Sequence, residues 1–371
     1  MNDTLLTIGI EEEFQIVDQA GELRAHIDAV MARAEQKPEL EPEDVKPEML
    51  QSVVEVGTKV CSDIKEARRE VERLRGQLVE ILGEEDLRLA SAGTHPFSHW
   101  KDQLVTQKER YISLEEEMQD VVRELLIFGL HVHIGIPDRD LRIDIFNEAR
   151  YFLPHILCLS TSSPFWLARN TGLKSYRSIL WSRFPRTGVP PDFATWDDFD
   201  HYTNLLVKTQ SIPDGSKIWW DLRPHHVYPT LEFRVCDAAT KIDETICIAA
   251  LIQAFVAKLL KLRKQNLGFR KYPGYLIREN KWRAVRHGLE GKLIDFGKQE
   301  EVPERNLVLE ILDFIDDVVD DLGSRSEVEY VHQILAEGSS AERQLRVFQE
   351  TDDLRSVVDQ VCEETRLGLP S

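Results

Sequence analysis

An α+β fold is predicted for this 371-residue chain, on three observations. Five short segments alternate apolar and polar residues with a period of two, the pattern of half-buried strands. Longer stretches repeat apolar residues at helical spacing. Neither pattern recurs at a fixed interval, so no repeat architecture is indicated. With 42% hydrophobic residues the chain can fill a sizeable core, as one large domain or two ordinary ones.

The elements follow in order. In Thr7–Val17 the even positions Ile8, Ile10, Phe14 and Ile16 are apolar, and Glu11, Glu13 and Gln15 oppose them. Glu12 interrupts the apolar face with no local reason. In Leu50–Gly57, Leu50, Val54 and Val56 oppose Gln51 and Glu55. Residues 61–83 read as an amphipathic helix through Ile64, Val71, Leu74, Leu78, Val79 and Leu82. In Leu130–Pro137, Leu130, Val132, Ile134 and Ile136 oppose His131, His133 and Gly135. Residues 144–163 and 242–265 read as buried helices, and 183–201, with Pro185, Pro190, Pro191 and Gly188, as a long ordered loop. In Ile218–Pro224, Ile218, Trp220 and Leu222 oppose Trp219, Asp221 and Arg223. In Thr230–Asp237, Leu231, Phe233 and Val235 oppose Thr230, Glu232, Arg234 and Cys236. From Pro303 onward the pattern is helical and acidic, with breaks expected at Gly323 and Gly338.

The polar faces of the five strands agree chemically. In one sheet they would gather Glu11, Glu13, Glu55, His131, His133, Asp221, Arg223, Glu232 and Arg234. So many carboxylates repel one another unless cations lie among them. Carboxylate oxygens with an occasional imidazole suit Mg²⁺ or Mn²⁺, and arginines grip phosphate oxygens. Metal plus phosphate on a carboxylate-lined sheet points to nucleotide chemistry. Each part has a plainer reading: Glu11–Glu13 alone is an acidic surface patch, His131-x-His133 a solvated strand face, Glu232 and Arg234 a cross-strand ion pair. It is their coincidence that favours a site.

The formal net charge is −19, from 46 basic and 65 acidic residues. Such a field repels nucleic acid and anionic membrane, so neither is expected as a partner. The start of the chain lacks the basic region of an export signal, and no apolar run is read as long enough to span a membrane. The five cysteines (Cys61, Cys158, Cys236, Cys247, Cys362) form no CxxC pair, so buried reduced thiols in a cytoplasmic protein are expected. There is no GxxxxGK[ST] loop, since Gly291 is separated from Gly297-Lys298 by five residues and Gln299 follows. GxGxxG, HExxH, GxSxG and a cysteine quartet are absent as well. A nucleotide would have to be held by metals and arginines.

Ordered segments along the whole chain carry a resemblance. They are Gly9-Ile-Glu-Glu-Glu-Phe14, Pro47-Glu-Met-Leu-Gln-Ser-Val-Val-Glu55, Ala92-Gly-Thr-His-Pro-Phe97, Gly129-Leu-His-Val-His-Ile-Gly135 and Ser163-Pro-Phe-Trp166. Thr171-Gly-Leu-Lys-Ser-Tyr-Arg177, Trp219-Trp-Asp-Leu-Arg-Pro224, Thr230-Leu-Glu-Phe-Arg-Val-Cys-Asp237, Trp282-Arg-Ala-Val-Arg-His-Gly288 and Glu342-Arg-Gln-Leu345 continue the series. Together they resemble the carboxylate–amine ligase branch of the glutamate–cysteine ligase superfamily.

The resemblance implies a glutamine-synthetase-like catalytic fold, a curved and mainly antiparallel sheet backed by helices. A single catalytic domain over 1–371 is expected, with the sheet and active site in 1–300 and a helical part, 301–371, packed on it. The implied chemistry uses ATP and Mg²⁺ or Mn²⁺: a carboxylate is phosphorylated and an amine attacks the acyl phosphate, glutamate and cysteine being the family's pair. Carried over residue by residue, Glu11, Glu13, Glu48, Glu55, His131 and Glu232 resemble the metal-ligand set. Arg234 resembles the arginine facing the transferred phosphoryl group, with Glu232 beside it as a catalytic residue. Arg223 and His133 join Arg234 as nucleotide contacts. Glu48 has the wrong parity for its strand and is expected just before it or at a bulge. Arg177 fits as an anchor for a substrate carboxylate. Asn170 stands where relatives have Asp, in Asn170-Thr171-Gly172, and is expected near substrate. Residues 164–200 are the candidate closing loop, and a homodimer is one expected assembly. Two rival readings are a metal-dependent hydrolase using His131 and His133, and a non-catalytic nucleotide-binding relative.

Overall fold

The computed structural model describes residues 6–369; the first five residues of the chain start read above for an export signal, Met1–Leu5, lie outside them. Seven strands form the main sheet: β1 (Ile8–Val17), β2 (Val45–Pro47), β3 (Val53–Gly57), β4 (Arg88–Ala90), β5 (Gly129–Gly135), β6 (Leu222–Pro224) and β7 (Thr230–Asp237). Their order is β6-β7-β5-β1-β3-β2, with β4 also paired to β1, and every pairing among them is antiparallel. The helices that matter below are α1 (Ile64–Gly83), α2 (Glu109–Met118), α3 (Arg139–Ala149), α4 (Leu153–Ser160), α5 (Tyr176–Trp181), α6 (Trp196–Lys208) and α7 (Ile242–Lys264). Nearer the C-terminus lie α8 (Glu304–Val319), α9 (Ser340–Thr351) and α10 (Leu354–Arg366).

Alternation along β1 divides its side chains as the parity rule requires. Ile8, Ile10, Phe14 and Ile16 are buried, while Glu11 and Glu13 face the other way. Register then aligns the acidic face across the sheet: Glu11 lies opposite His131, Glu13 opposite Glu55, and Arg223 opposite Glu232.

Behind the sheet, Ile8 and Ile10 share one apolar cluster with Val132, Phe233 and the side chains of α4 and α7. Phe14 and Ile16 share another with Val54, Val56, Leu74 and Leu78. Glu12 stands at the seam between them. Its carboxylate accepts from Arg75 Nε at 2.9 Å and from Thr245 Oγ1 at 2.6 Å. The same guanidinium donates to the Thr240 and Ala239 carbonyls at 2.8 and 3.0 Å. Both partners are buried, so the interruption seen in the sequence is a structural ion pair bridging two cores.

The helix α1 starts at Ile64, three residues later than read, because Asp63 caps it by accepting from Glu66 N at 2.8 Å. The stretch read as 144–163 begins earlier, at Arg139, and breaks at Arg150–Phe152. Pro154 follows, whose nitrogen cannot donate to the Arg150 carbonyl. The long loop read over 183–201 ends early, since α6 begins at Trp196 behind a capping box of Thr195 and Asp198.

One expectation is overturned at α7. Its 23 residues are long and apolar enough to cross a membrane by length and composition. The sequence reading missed this because charged residues punctuate both ends of the stretch. Most of its side chains are buried inside the protein, including Ile246, Leu251, Ile252 and Phe255, as befits a central core helix. Asp243 and Glu244 in its first turn and Lys261, Arg263 and Lys264 in its last suit the helix dipole. All five cysteines are free and buried, as expected.

The breaks at Gly323 and Gly338 fall where read, both in the left-handed region that glycine tolerates. The C-terminal helices are tied to the rest by buried polar contacts. Arg343 donates to Glu244 at 2.6 Å, and Gln344 donates to the Ser162 carbonyl at 2.9 Å.

Candidate active site

Above the acidic face of the sheet lies a cavity of about 1060 Å³. Glu11, Glu13, Glu48, Glu55, His131, Arg177, Arg223, Glu232 and Arg234 all line it, so nine of the residues singled out in the sequence converge. Glu48 sits in the link between β2 and β3, just ahead of the strand, as its parity required.

The carboxylates of the two sides are held in different states. Burial pushes Glu13 up to about 7 against the pull of Arg177, with Glu55 adding repulsion. Burial also raises Glu48, with Glu13 repelling it, and raises Glu55 well above the usual range, with Glu11 and Glu48 repelling it. Lys46 lies at ion-pair distance from two carboxylates, its Nζ 3.4 Å from Glu55 and 3.9 Å from Glu11. Buried carboxylates that repel one another and carry only hard oxygen donors fit a divalent cation.

Toward β7 the balance reverses. Burial would raise Glu232, but Arg234 and then Arg223 hold it well below the usual carboxylate range. Arg223 Nε donates to Glu232 at 2.5 Å, and Arg234 pairs with the other carboxylate oxygen. Burial likewise opposes ionisation of Glu11, yet the His131 hydrogen bond and the neighbouring His133 imidazole keep it well below that range. His131 Nδ1 is 3.2 Å from Glu11, and His133 Nε2 is 3.8 Å from it. Burial and Arg234 press His131 down to about 4. Burial opposes the charging of His133, but Glu232 and Glu11 raise it.

Donor atoms of Glu11, His133 and Glu232 all lie within 4.8 Å of one another. It is His133, read from sequence as a nucleotide contact, that completes this group. The Nε atoms of Arg177 and Arg234 and the Nε2 of His133 are buried without a hydrogen-bond partner among the described residues. Buried donors left unmatched fit an anionic ligand and, for the imidazole, a metal.

Three singled-out residues do not line the cavity: His133, which stands with Glu11 and Glu232, and Asn170 and Asp221. Asn170 is exposed on a small hairpin formed with Phe165–Trp166, and its side-chain oxygen accepts from Gly172 N at 2.9 Å. Asn170 therefore does not line this cavity. Asp221 is buried in a pair with Lys281 at 2.7 Å. The segment read as one strand over 218–224 is split there, Trp219–Trp220 pairing with Thr187–Gly188 instead.

A third shift lies in β7. Phe233 opposes Val132 but Cys236 opposes Leu130, so a bulge at Arg234–Val235 inserts one residue. The parity flips beyond it. Cys236, read on the polar face, is turned into the core, and Asp237 takes its place opposite Gly129.

Residues that the sequence reading missed are Lys46, Arg110, Tyr111, Trp181, Lys217, His225 and His226, all in the cavity wall. Arg110 and Tyr111 come from α2, whose polar sequence gave no periodic signal. Trp181 had one: it follows Arg177 by four residues, so both share a face of α5. Aromatic and aliphatic side chains complete the wall, Phe184 stacking on Trp181 at 5.5 Å between centroids.

Comparison with known proteins gives a consistent result. The family described as glutamate-cysteine ligase family 2 matches residues 7–360. A protein of Herpetosiphon aurantiacus named "Putative glutamate–cysteine ligase 2" is 54% identical over 365 residues, covering 98% of this chain and 94% of the relative. One of the same name from Roseiflexus castenholzii is 55% identical over 369 residues, covering 99% and 97%. Among solved structures, a glutamate–cysteine ligase from Francisella tularensis in complex with AMP superimposes with TM-score 0.68 at 13% identity, over 99% of this chain and 90% of that one. A bifunctional glutathione synthetase from Pasteurella multocida gives 0.72 at 14% identity over 97% of this chain, which spans 52% of that larger protein. At such identities the two structures speak for the fold alone.

Proposed function

Because this chain belongs to glutamate–cysteine ligase family 2, we propose that it is an ATP-dependent ligase joining a carboxylate to an amine through an acyl phosphate. Glutamate is the proposed acid, and cysteine or a related amine its partner. The observation that carries the reading is the split cavity, with mutually repelling carboxylates on one side and arginines with unmatched donors on the other. That arrangement suits a substrate whose phosphates bind cations and whose remaining charge needs guanidinium groups.

Glu11, Glu13, Glu48, Glu55, His131 and Glu232 are the residues that would hold Mg²⁺ or Mn²⁺, with His133 completing the group around Glu11. Bound metal would neutralise phosphate charge and so lower the cost of bringing ATP to a carboxylate. The chain's own groups do the rest. Arg234 faces the phosphoryl group in transit, and Arg223 holds Glu232 so that its carboxylate cannot swing away. Arg177 receives a substrate carboxylate. A carboxylate oxygen attacks the γ-phosphorus and ADP leaves; the amine nitrogen then attacks the acyl carbon and phosphate leaves. Positioning and electrostatics dominate such transfers. Trp181, Phe184 and the α2 side chains exclude water from the acyl phosphate, and residues 164–200 are the proposed closing segment. The five free cysteines suit a reducing cytoplasm.

The test is ADP release with Mg²⁺ and ATP, carboxylic acids being screened against amines in pairs. The expected result is ADP formation that requires one acid and one amine. It should fall by roughly 10²–10³ in Arg234→Ala, the usual scale for removing one transition-state donor. Turnover of an amide without ATP would support the metal-dependent hydrolase instead. ATP binding without ADP from any pair would support a non-catalytic role.

A further inference from the structure

The bulge in β7 places Asp237 where the strand pattern did not. Its side chain is fully buried and, among the described residues, forms no ion pair, although the Arg177 charge acts on it through space, so it is an unusual carboxylate. Three donors serve it: Ser162 N at 3.0 Å, Ser163 Oγ at 2.6 Å and Ser175 Oγ at 2.7 Å. A hydroxyl has one proton to give. Both serines spend theirs on Asp237, which leaves their oxygens free to accept. Ser163 Oγ accepts from Arg177 N at 3.0 Å, and Ser175 Oγ accepts from Ser178 N at 3.4 Å. Those amides belong to the first turn of α5, the helix that carries Arg177 and Trp181 into the cavity.

Close approaches on both sides narrow the arrangement. A Cβ added at Gly93 would lie 2.8 Å from the Asp237 carboxyl carbon. One added at Gly129, the cross-strand partner of Asp237, would collide with the Arg177 guanidinium. Among the described residues the guanidinium itself hydrogen-bonds only through two 3.5 Å contacts to the Arg234 carbonyl, with Nε unmatched. Its place therefore depends on the helix turn behind it more than on partners of its own.

We propose that Asp237 is a positioning residue, which acts through Ser163 and Ser175 to fix the turn of α5 and with it the seat of the Arg177 guanidinium. The consequence rests on the reading of Arg177 as the anchor of the acid substrate's carboxylate. Asparagine at 237 keeps the shape but turns an NH₂ toward one serine. That serine's proton loses its acceptor, and the relay to α5 breaks on that side.

The test compares Asp237→Asn, Arg177→Lys and the double variant by ADP release with L-glutamate varied at saturating ATP and L-cysteine, with a crystal structure of Asp237→Asn. Ser163→Ala serves as a second entry into the same relay should Asp237→Asn fold poorly. The expected result is a rise of about tenfold in KM for L-glutamate with kcat changed less than threefold in Asp237→Asn. Arg177 should be displaced from Gly129 in the crystal, and the double variant should be no worse than Arg177→Lys alone. An Asp237→Asn enzyme with Arg177 in place and KM unaltered, or additive losses in the double variant, overturns the proposal. If Arg177→Lys leaves every KM unchanged, or the wild type shows no turnover, it is the substrate reading that fails. The crystal then decides the positioning of Arg177 by itself.

Discussion

Three consecutive glutamates in β1 show how much a single residue's neighbours decide. Glu11 and Glu13 were legible as cavity residues from parity alone, because the period of two is a property of the strand itself. Glu12 was not, since its partner Arg75 is 63 positions away and its other contact, Thr245, is farther still. Removing one member of such a buried pair leaves the other charge without compensation. Arg75→Met is therefore expected to lower unfolding free energy by about 3–5 kcal/mol, checked by urea denaturation, whereas Glu12→Gln with Arg75→Met together should recover part of that loss. His95 poses a second test at this scale. Its Nε2 lies 2.9 Å from the Gly21 carbonyl, while Nδ1 accepts from Ser98 N at 2.9 Å. A second proton has no acceptor there, and burial presses the imidazole down to about 3. Between pH 6.5 and 3 the unfolded chain binds a proton that the folded chain refuses, so stability falls as pH drops through that window. The loss should amount to roughly 1 kcal/mol per pH unit, and His95→Gln should flatten the profile if it folds.

Elements were legible where their pattern is local and long. The strand centred on His131 and the helix α1 were visible in the sequence, since each repeats its own period for several residues. Short strands such as β2 and β4, three residues each, offer too few positions to show a period. The bulge in β7 was hidden for a different reason: an inserted residue is defined by what lies across the ladder, which no single segment reveals. It has a measurable consequence. Deleting Val235 would restore strict alternation while keeping Cys236 opposite Leu130 and Asp237 opposite Gly129. Such a variant should still give soluble folded protein, judged by circular dichroism and expression yield, with activity lowered because the strand beside Arg234 is straightened. Gly129→Ala, by contrast, disturbs one contact only. It should fold and lose affinity for the acid substrate, read as a higher KM with little change in melting temperature.

At the scale of the whole molecule, the cavity is a region where stability has been yielded to binding. Glu13, Glu48 and Glu55 repel one another across buried space, so a cation that binds the folded chain and not the unfolded one should stabilise it by mass action. Adding Mg²⁺ with ATP is expected to raise the melting temperature by several degrees, and Glu48→Gln with Glu55→Gln should abolish most of that increment in a thermal-shift series. A rise of equal size in the double variant would place the cation elsewhere. The central position of β1 has one more implication, for the fidelity of folding. The strand pairs with β3 on one edge and with β4 and β5 on the other, and it supplies apolar residues to both clusters behind the sheet. Were it to slip by a single residue, Glu11 and Glu13 would enter the apolar layer together while Ile10 and Phe14 turned toward water. A misaligned sheet would thus lose its core at the same stroke as its site. Refolded preparations should therefore divide into active molecules and unfolded ones, with no compact, inactive population between them.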